Sequence, residues 1–342
     1  MILFIGDPHY KKTNAYYTDI VEKEIDKILQ RYKINLIVVL GDVLHNHGTL
    51  FQTALKRAVD WLFKLANNYR VICLIGNHDR VNEKIFCTNE HAFYGIEHEN
   101  LEFIYKPTII EHENKKFLAC PYVEKGRFDE SINTYINKED LQNISLIFAH
   151  QEFIGSNMSV HKISEDGDNR EKSNVWVVSG HIHKRHILED IKVKYVGSTL
   201  QNDISEDPDR YVSIWNGKEF DDIIMNIPAI KKIEIFDIKK TREIIKNIPK
   251  YYLENEHLNI YIYFFLKEEE KSLIKNNSSL NKLKEKYDKR VHIKIDYIKV
   301  FKKYDKELMS YSDKLSHEKE TNKDFNKGYI LMNKKYEKSL FS

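Results

Sequence analysis

The sequence carries the tetrapeptide Gly76-Asn77-His78-Asp79 directly after an apolar run at residues 70–75. That run is short and rich in β-branched residues, which predicts a buried strand rather than a helix. The tetrapeptide therefore places an amide, an imidazole and a carboxylate just past the carboxyl end of a core strand. In parallel α/β sheets this edge is where ligands bind, because the loops carry chemistry while the strands fix their positions.

The same arrangement recurs at four other predicted strand ends, where polar side chains follow an apolar run at once. The ligand-type side chains of the five loops are Asp7, His9, Asp42, Asn77, His78, His150, His181 and His183. Alternate residues of an extended backbone point the same way, so the Asp7-x-His9 and His181-x-His183 pairs can each aim two ligands at one place. We expect the five loops to form one site.

The residue types in these loops indicate a metal centre. Carboxylate and amide oxygens with imidazole nitrogens suit Mn²⁺, Fe²⁺ or Zn²⁺, and the absence of a placed cysteine argues against a soft-metal site. Even if one of these eight side chains binds no metal, the remaining seven are too many for one tetrahedral ion. Two ions that share a carboxylate are the natural count, and such pairs clamp a phosphoryl group and activate water.

The periodicity of the chain predicts an α/β fold. Continuously apolar strands alternate with amphipathic helices at residues 16–32 and 50–68, the pattern of a parallel sheet covered on both faces. Later segments at residues 185–197, 209–216 and 222–227 alternate like antiparallel strands that close a second sheet. We therefore expect a sandwich of two sheets flanked by helices.

The chain is long enough for one large domain and a smaller one. We expect the sandwich to occupy residues 1–228 and a small β-α-β-α-β unit with its own core to occupy residues 229–303. Residues 304–342 are rich in lysine, tyrosine and serine. Their helical periodicity is interrupted, and we expect a tail made of helical segments. Residues 155–174 have little periodicity and predict a long loop.

Composition narrows the class of protein. Charged residues make up 31% of the chain and the apolar runs are shorter than a membrane span, so we expect a soluble protein without a membrane segment or signal peptide. Cys73, Cys87 and Cys120 lack metal-type spacing. They are expected as buried thiols of an intracellular protein.

Charge is unevenly distributed along the chain. Residues 1–225 hold 27 Lys and Arg against 34 Asp and Glu, a net charge of −7, whereas residues 226–342 hold 27 against 18, a net charge of +9. The basic part is either a solvated lysine-rich surface or a surface that approaches a polyanion, and charge alone favours neither.

The loop motifs together resemble the signature of the calcineurin-like metallophosphoesterases. These motifs are Gly6-Asp7-Pro8-His9, Gly41-Asp42, Gly76-Asn77-His78-Asp79, His150 and Gly180-His181-Ile182-His183. Within that superfamily the chain is similar to the SbcD-type and phage recombination nuclease subunits of DNA double-strand-break repair. The supporting details are His45 three residues after Asp42, Gln151 after His150, Lys184 after His183, and the segment Tyr195-Val196-Gly197-Ser198-Thr199-Leu200.

The resemblance implies a Mn²⁺-dependent DNA exonuclease or endonuclease, with Mg²⁺ or Fe²⁺ as other usable ions. It implies two metal sites that share Asp42: one is formed by Asp7, His9, Asp42 and His183, and the other by Asp42, Asn77, His150 and His181. It further implies that His78 contacts the scissile phosphate, that Asp79 orients His78, and that His45 positions the strand near the site.

The resemblance also implies partners. DNA is the expected substrate, residues 229–303 are the expected capping domain, and residues 304–342 are expected to bind an SMC-like ATPase of the SbcC type. A homodimer, no membrane association, and a site of action in the cytoplasm or nucleoid of a host cell are further expectations, and a phage or other viral source fits them.

Two other functions stay open at this point. One is an enzyme of the same fold that acts on small nucleotides or phosphoproteins, and the other is a structural subunit without activity. We do not expect six further histidines to bind metal. We expect His47, His161 and His186 on loops or at the surface, and His91, His98 and His112 in contact with solvent.

Overall fold

A computed structural model describes most of the chain up to residue 297. The described residues are 1–159, 162–203, 206–254, 258–266, 271–275, 277–287 and 290–297. The predicted tail at residues 304–342 and His161 lie outside the described residues. Among the described residues, no helix is both long and apolar enough to cross a bilayer.

Fourteen strands and three α-helices precede residue 229 in the described part of the chain. The strands are β1 (Ile2–Ile5), β2 (Leu36–Val39), β3 (Arg70–Leu74), β4 (Leu101–Ile104), β5 (Thr108–His112), β6 (Lys115–Cys120), β7 (Ile144–Ala149), β8 (Asn157–Ser159), β9 (Lys162–Ile163), β10 (Trp176–Ser179), β11 (His186–Leu188), β12 (Val193–Tyr195), β13 (Tyr211–Trp215) and β14 (Phe220–Ile224). The helices are α1 (Ala15–Arg31), α2 (Gln52–Ala66) and α3 (Phe128–Tyr135).

The first sheet has the strand order β14-β13-β1-β2-β3-β4. Strands β1 to β4 run parallel, and their register pairs Phe4 with Val38 and Val38 with Ile72. The predicted alternation of strand and helix is therefore confirmed, because α1 and α2 are the crossovers that parallel neighbours require. Both helices bury their apolar stripes in one hydrophobic cluster on this sheet.

The second sheet has the order β11-β12-β10-β7-β6-β5. Its central strands β6, β7, β10 and β12 run parallel, and β5 and β11 are antiparallel edges. The prediction that residues 209–216 and 222–227 close this sheet is wrong. Those segments form β13 and β14, which extend the first sheet antiparallel to β1. Strand alternation reports which face is buried but not which sheet supplies the partner.

The two sheets pack face to face around an apolar core. Phe4 of the first sheet contacts Phe148 of the second with ring centroids 5.4 Å apart, and Phe148 stacks on Phe117 at 5.2 Å. A second cluster on the outer side of the second sheet includes Phe128 and Ile132 of α3. The chain is thus a mixed α/β sandwich of two six-stranded sheets with helices outside, as predicted.

A third sheet follows from residue 229, and its strands run parallel in the order β15-β16-β17. Its elements are β15 (Ala229–Ile235), α4 (Thr241–Glu254), β16 (Leu258–Leu266), α5 (Lys271–Lys275), α6 (Ser278–Lys286) and β17 (Val291–Tyr297). Residues of all three helices join the sheet in a separate hydrophobic cluster. The division of the chain at residues 228 and 303 stays a prediction.

The predicted loop at residues 155–174 is not wholly irregular, because it contains the short hairpin of β8 and β9. Helix α4 continues through Pro249 although proline removes a backbone donor inside a helix. Tertiary packing of the helix on the third sheet, where Ile248 is fully buried, outweighs that cost.

Candidate metal centre

The five predicted loops leave the carboxyl ends of parallel neighbours in the two sheets. Strands β1, β2 and β3 lead to the loops of Asp7, Asp42 and Asn77, while β7 and β10 lead to those of His150 and His181. The loops are also tied to one another, since the amide of His9 donates to the carbonyl of Asp42 at 3.0 Å. The sandwich therefore brings the polar ends of both sheets to one edge.

One group of ligand atoms surrounds Nε2 of His150. This nitrogen lies 3.2 Å from Oδ1 of Asp42 and 3.1 Å from Oδ1 of Asn77, and the latter oxygen is 3.1 Å from Nδ1 of His181. The other nitrogen of His150 lies 2.6 Å from the carbonyl oxygen of Leu40 and must donate to it. A neutral His150 thus turns a lone pair toward oxygen lone pairs, an arrangement that a cation satisfies.

A second group centres on two facing imidazoles. Nε2 of His9 lies 2.9 Å from Nε2 of His183. Nδ1 of His183 is 2.8 Å from Oε1 of Glu206, and Nδ1 of His9 is 3.3 Å from the carbonyl oxygen of Leu44. If both Nδ1 atoms donate, two Nε2 lone pairs face each other. Oδ2 of Asp7 is buried and has no hydrogen-bond partner within the part of the chain that the structure describes. These features fit a divalent cation held between carboxylate and imidazoles.

Burial and close charges set the protonation of this cluster. Burial by itself would raise the pKa of Asp42, but His150 and His78 hold that pKa well below its ordinary value. Burial opposes a charged His150, yet Asp42 raises its pKa to about 9. Burial raises the pKa of Asp7, and burial with a neighbouring imidazole lowers the pKa of His9. A proton on His150 and a metal ion would therefore compete for the same lone pair.

Four of the predicted ligands have left-handed backbone, which is uncommon outside glycine. Their φ angles are 32° at Asp7, 48° at His9, 48° at Asp42 and 73° at His181. Such strain concentrates at functional sites, where the surrounding structure holds it. Gly76 serves the same geometry, because a Cβ at this position would collide with Oδ1 of Asp42.

His78 lies at the opening of the cluster. Asp79 is the residue expected to orient His78, but its carboxylate contacts backbone amides and not the ring of His78. Nε2 of His78 is 3.7 Å from Oδ2 of Asp42, and its Nδ1 contacts the carbonyl oxygen of His45. The buried carboxylate of Asp79 instead accepts the amides of Gly76 at 3.0 Å and of Leu44 at 2.9 Å. Asp79 joins the second and third loops, because backbone donors outcompete an imidazole for its oxygens.

Two sets of side chains bring ligand atoms within 4.8 Å of one another in the described part of the chain. One set is Asp42, His150 and His181, and the other is His9, His45 and His78. The second set differs from the expected grouping, which gave His45 and His78 no metal. The roles assigned to the individual site residues stay predictions.

Sequence reasoning missed three residues that contact the centre. Glu206 contacts His183, and the buried Glu152 lies 3.8 Å from Nε2 of His181. The ring of the exposed His47 lies 3.6 Å from that of His78. Glu206 had no spacing signal, whereas Glu152 stands two residues after His150.

The remaining histidines divide between surface and interior. His186 accepts the amide of Asn157 at 3.0 Å and stacks on Tyr195, outside the metal cluster. His98 and His112 are partly exposed. The expectation that His91 is solvated is wrong, because its side chain is buried beside the rings of Phe103 and Tyr105.

Two viral proteins are similar to this chain over most of their lengths. A protein named as a phosphoesterase, 078R of Invertebrate iridescent virus 3, is 32% identical over 258 residues, which cover 73% of each chain. A second protein of that name, 244L of Invertebrate iridescent virus 6, is 36% identical over 248 residues, which cover 71% of this chain and 84% of the relative.

Solved structures share less with the chain. Pseudomonas putida nuclease MPE is 15% identical with a TM-score of 0.33, and the match covers 62% of this chain and 84% of the nuclease. Haemophilus influenzae NAD nucleotidase is 11% identical with a TM-score of 0.35, and the match covers 84% of this chain and 60% of the nucleotidase.

A family profile described as calcineurin-like phosphoesterase matches residues 1–196. The chain belongs to the calcineurin-like phosphoesterase family.

Proposed function

We propose that this phosphoesterase is a Mn²⁺-dependent DNA phosphodiesterase that uses two metal ions. The observation that supports the chemistry is that two groups of acceptor atoms lie in the site. One surrounds Nε2 of His150, and the other lies between the imidazoles of His9 and His183. Asp42 lies between His150 and His78 and would bridge the ions. Divalent ions at such a site polarise a phosphoryl group and activate water.

The protein's own residues would complete the reaction around these ions. His78 is 18% exposed at its side chain and stands over Asp42, a position from which it can contact a bound phosphate. There it would stabilise the negative charge of the transition state or protonate the leaving oxygen. The carbonyl of His45 holds Nδ1 of His78, so that Nε2 is the nitrogen that faces the site.

A polyanionic substrate is one of the two explanations for the charge of the basic part, and the position of that part beside the site favours it. The part of the chain from residue 226 onward has a net charge of +9, and a polyanion is the ligand that such an excess attracts. The third sheet of this part is joined to the site, because the side-chain amide of Gln201 donates to the carbonyl of Ile230 at 2.9 Å and to that of Glu206 at 2.9 Å.

A small nucleotide is the second candidate substrate, and one cavity favours it. The cavity has a volume of about 350 Å³, near the lower end of the usual range for small-ligand sites. It is lined by His47, Gly48, Arg80, Val81, Asn82 and Glu83. His47 connects it to His78, and the buried guanidinium of Arg80 has no hydrogen-bond partner among the described residues.

A turnover comparison tests the proposal. Purified protein with Mn²⁺ would be assayed on linear duplex DNA, single-stranded DNA, a cyclic nucleotide and a phosphopeptide, each with and without chelator. We expect metal-dependent cleavage of DNA that is lost in Asp42→Asn and kept in Asp60→Asn, an exposed carboxylate of α2. Faster turnover of the cyclic nucleotide than of DNA would overturn the DNA assignment and favour the second candidate. Faster turnover of the phosphopeptide would overturn both candidates.

We also propose a role in double-strand-break repair with an SbcC-type ATPase that binds residues 304–342. This proposal rests on the family resemblance, and its test is truncation after Tyr304. A truncated protein that melts at the same temperature but no longer captures the cognate ATPase would support the partner. A truncated protein with a much lower melting temperature would show that the tail packs on its own chain, and the partner site would be abandoned.

A further inference from the structure

The third sheet has two chemically different faces. Along β16, alternate residues Ile260, Ile262 and Phe264 are fully buried in the cluster formed with α4, α5 and α6. The residues between them, Tyr261, Tyr263 and Phe265, point to the opposite face because side chains alternate along a strand. Parallel sheets usually have both faces covered. Of these three rings, Tyr263 is buried, whereas Tyr261 and Phe265 are partly exposed and Phe265 stacks on Phe236 with ring centroids 5.0 Å apart.

Aromatic rings and lysines alternate on this second face. Tyr261 stacks on His292 of β17 with ring centroids 4.2 Å apart and planes 17° apart. Nζ of Lys294 lies 5.5 Å from the ring centres of both Tyr261 and Tyr263, and Nζ of Lys232 lies 5.2 Å from that of Tyr263. Such cation–π contacts hold ammonium groups beside ring faces.

The lysines differ in how far they are neutralised. Lys232 forms an ion pair of 2.7 Å with Glu234, the neighbouring acidic residue on this face. Lys294 lies over the centre of the ring ladder and is partly exposed. Lys294 is therefore the cation of this face best placed to meet an anionic ligand.

The face begins next to the metal centre. The amide of Ile230, the second residue of β15, donates to the side-chain oxygen of Gln201 at 2.6 Å. Gln201 belongs to the loop of Glu206, which contacts the predicted ligand His183. Burial and the phenol of Tyr17 raise the pKa of Tyr261. Tyr17 is 45% exposed at the start of α1, eight residues after His9.

We propose that the accessible residues of this face, Lys232, Tyr261, Phe265, His292 and Lys294, bind an unpaired strand of nucleic acid. Every base has an apolar ring that can stack on an aromatic side chain, and the lysines would neutralise phosphates. Bases inside a duplex are already stacked on one another, so the rings select an unpaired strand. The proposal rests on the proposed function and specifies the form of DNA that reaches the metal centre.

Binding of a labelled oligodeoxythymidine to the full chain tests this surface, with chelator present so that no cleavage occurs. Tyr261→Leu should weaken binding by about 5- to 150-fold, the measured range for loss of one base–aromatic stack. Tyr261→Phe keeps the ring and should bind within about twofold of the unchanged protein. Lys294→Gln should lower the slope of log affinity against log salt by about one.

Matched variants remove the same groups elsewhere. Tyr94→Leu deletes an exposed tyrosine of the sandwich, and Lys246→Gln deletes an exposed lysine of α4. Both should bind the oligonucleotide like the unchanged protein. Melting curves check that each variant folds, and if Tyr261→Leu fails to fold, Lys294→Gln decides the question.

Three results would contradict the proposal that this face binds nucleic acid. These are unchanged affinity in both Tyr261→Leu and Lys294→Gln, equal weakening for the oligonucleotide and a blunt duplex, and equal weakening by the matched variants. Failure of the proposed function would look different, because the unchanged protein with Mn²⁺ would then leave DNA intact. Binding without metal and cleavage with metal are separate measurements, so each proposal can fail alone.

Discussion

Nδ1 of His183 lies 2.8 Å from Oε1 of Glu206, and this contact fixes which nitrogen of the imidazole faces the metal centre. Arg210, itself buried, holds the other carboxylate oxygen of Glu206 at 2.7 Å and the carbonyl of His183 at 2.9 Å. A carboxylate behind a ligating histidine fixes its tautomer and raises its basicity. Glu206 is therefore placed to orient His183 toward a cation beside His9.

Replacement of Glu206 by glutamine should weaken metal binding by about 10- to 100-fold, because the amide no longer supports a basic Nε2 on His183. The affinity for Mn²⁺ would be measured by calorimetry on the chelator-stripped protein. Glu189→Gln removes a carboxylate that pairs with Lys192 at the surface and should leave the affinity unchanged. Equal affinities in all three proteins would remove Glu206 from the centre.

His78→Ala should retain both metal ions while losing most phosphodiester cleavage, because we assign this histidine to the phosphate. General acid catalysis of this kind is worth about 10²–10⁴-fold in rate. Metal content and cleavage rate would be measured on the same sample. The ligand atoms of His9, His45 and His78 are close enough to bind one metal ion together, which is the competing role for His78. Loss of one ion in His78→Ala would make His78 a ligand.

Gly76→Ala should destabilise the protein and impair metal binding together. The added Cβ has no room beside Oδ1 of Asp42, so the carboxylate must move or the loop must shift, and such overpacking typically costs about 1–3 kcal/mol. Denaturant unfolding and Mn²⁺ titration would measure the two effects. Gly126→Ala is the comparison, since its positive φ of 81° causes backbone strain but its Cβ meets nothing. A Gly76→Ala protein with normal metal affinity would show that the Asp42 loop is adaptable.

His91 should make the protein less stable in weak acid. Burial and the charge of Arg80 lower its pKa from 6.5 to about 4, so between these values the unfolded chain binds a proton that the folded chain excludes. The free energy of unfolding therefore falls as pH drops from about 6.5 to 4, and this contribution is absent above that range.

The test is His91→Asn, which retains an acceptor near Nδ1 for the amide of Phe93. Melting temperatures would be compared at neutral pH and near pH 5, and the variant should lose less stability on acidification than the unchanged protein. Other histidines contribute equally to both proteins and cancel. His98→Asn, a partly exposed site on the same sheet edge, is the matched control. An equal fall in melting temperature on acidification in His91→Asn and the unchanged protein would exclude this explanation.

Much of the fold was readable from short-range patterns. Apolar runs and helical periodicity predict α1, α2 and β3 to within about two residues, because period and burial are local properties. The same patterns place the loops of Asp7, Asp42, Asn77, His150 and His181 at strand ends. Their convergence follows from topology, since carboxyl ends of parallel strands share one edge of a sheet.

Contacts between distant parts of the chain were decided by the tertiary structure alone. Strands β13 and β14 could have joined either sheet, and only the packing against β1 selects the first. Glu206 reaches His183 across 23 positions, and Asp79 accepts amides from the loop of Val43 and Leu44. The sequence alone determined which residues can serve as ligands. Their neighbours depend on long-range packing, in which residues far apart in the chain become adjacent without any spacing signal.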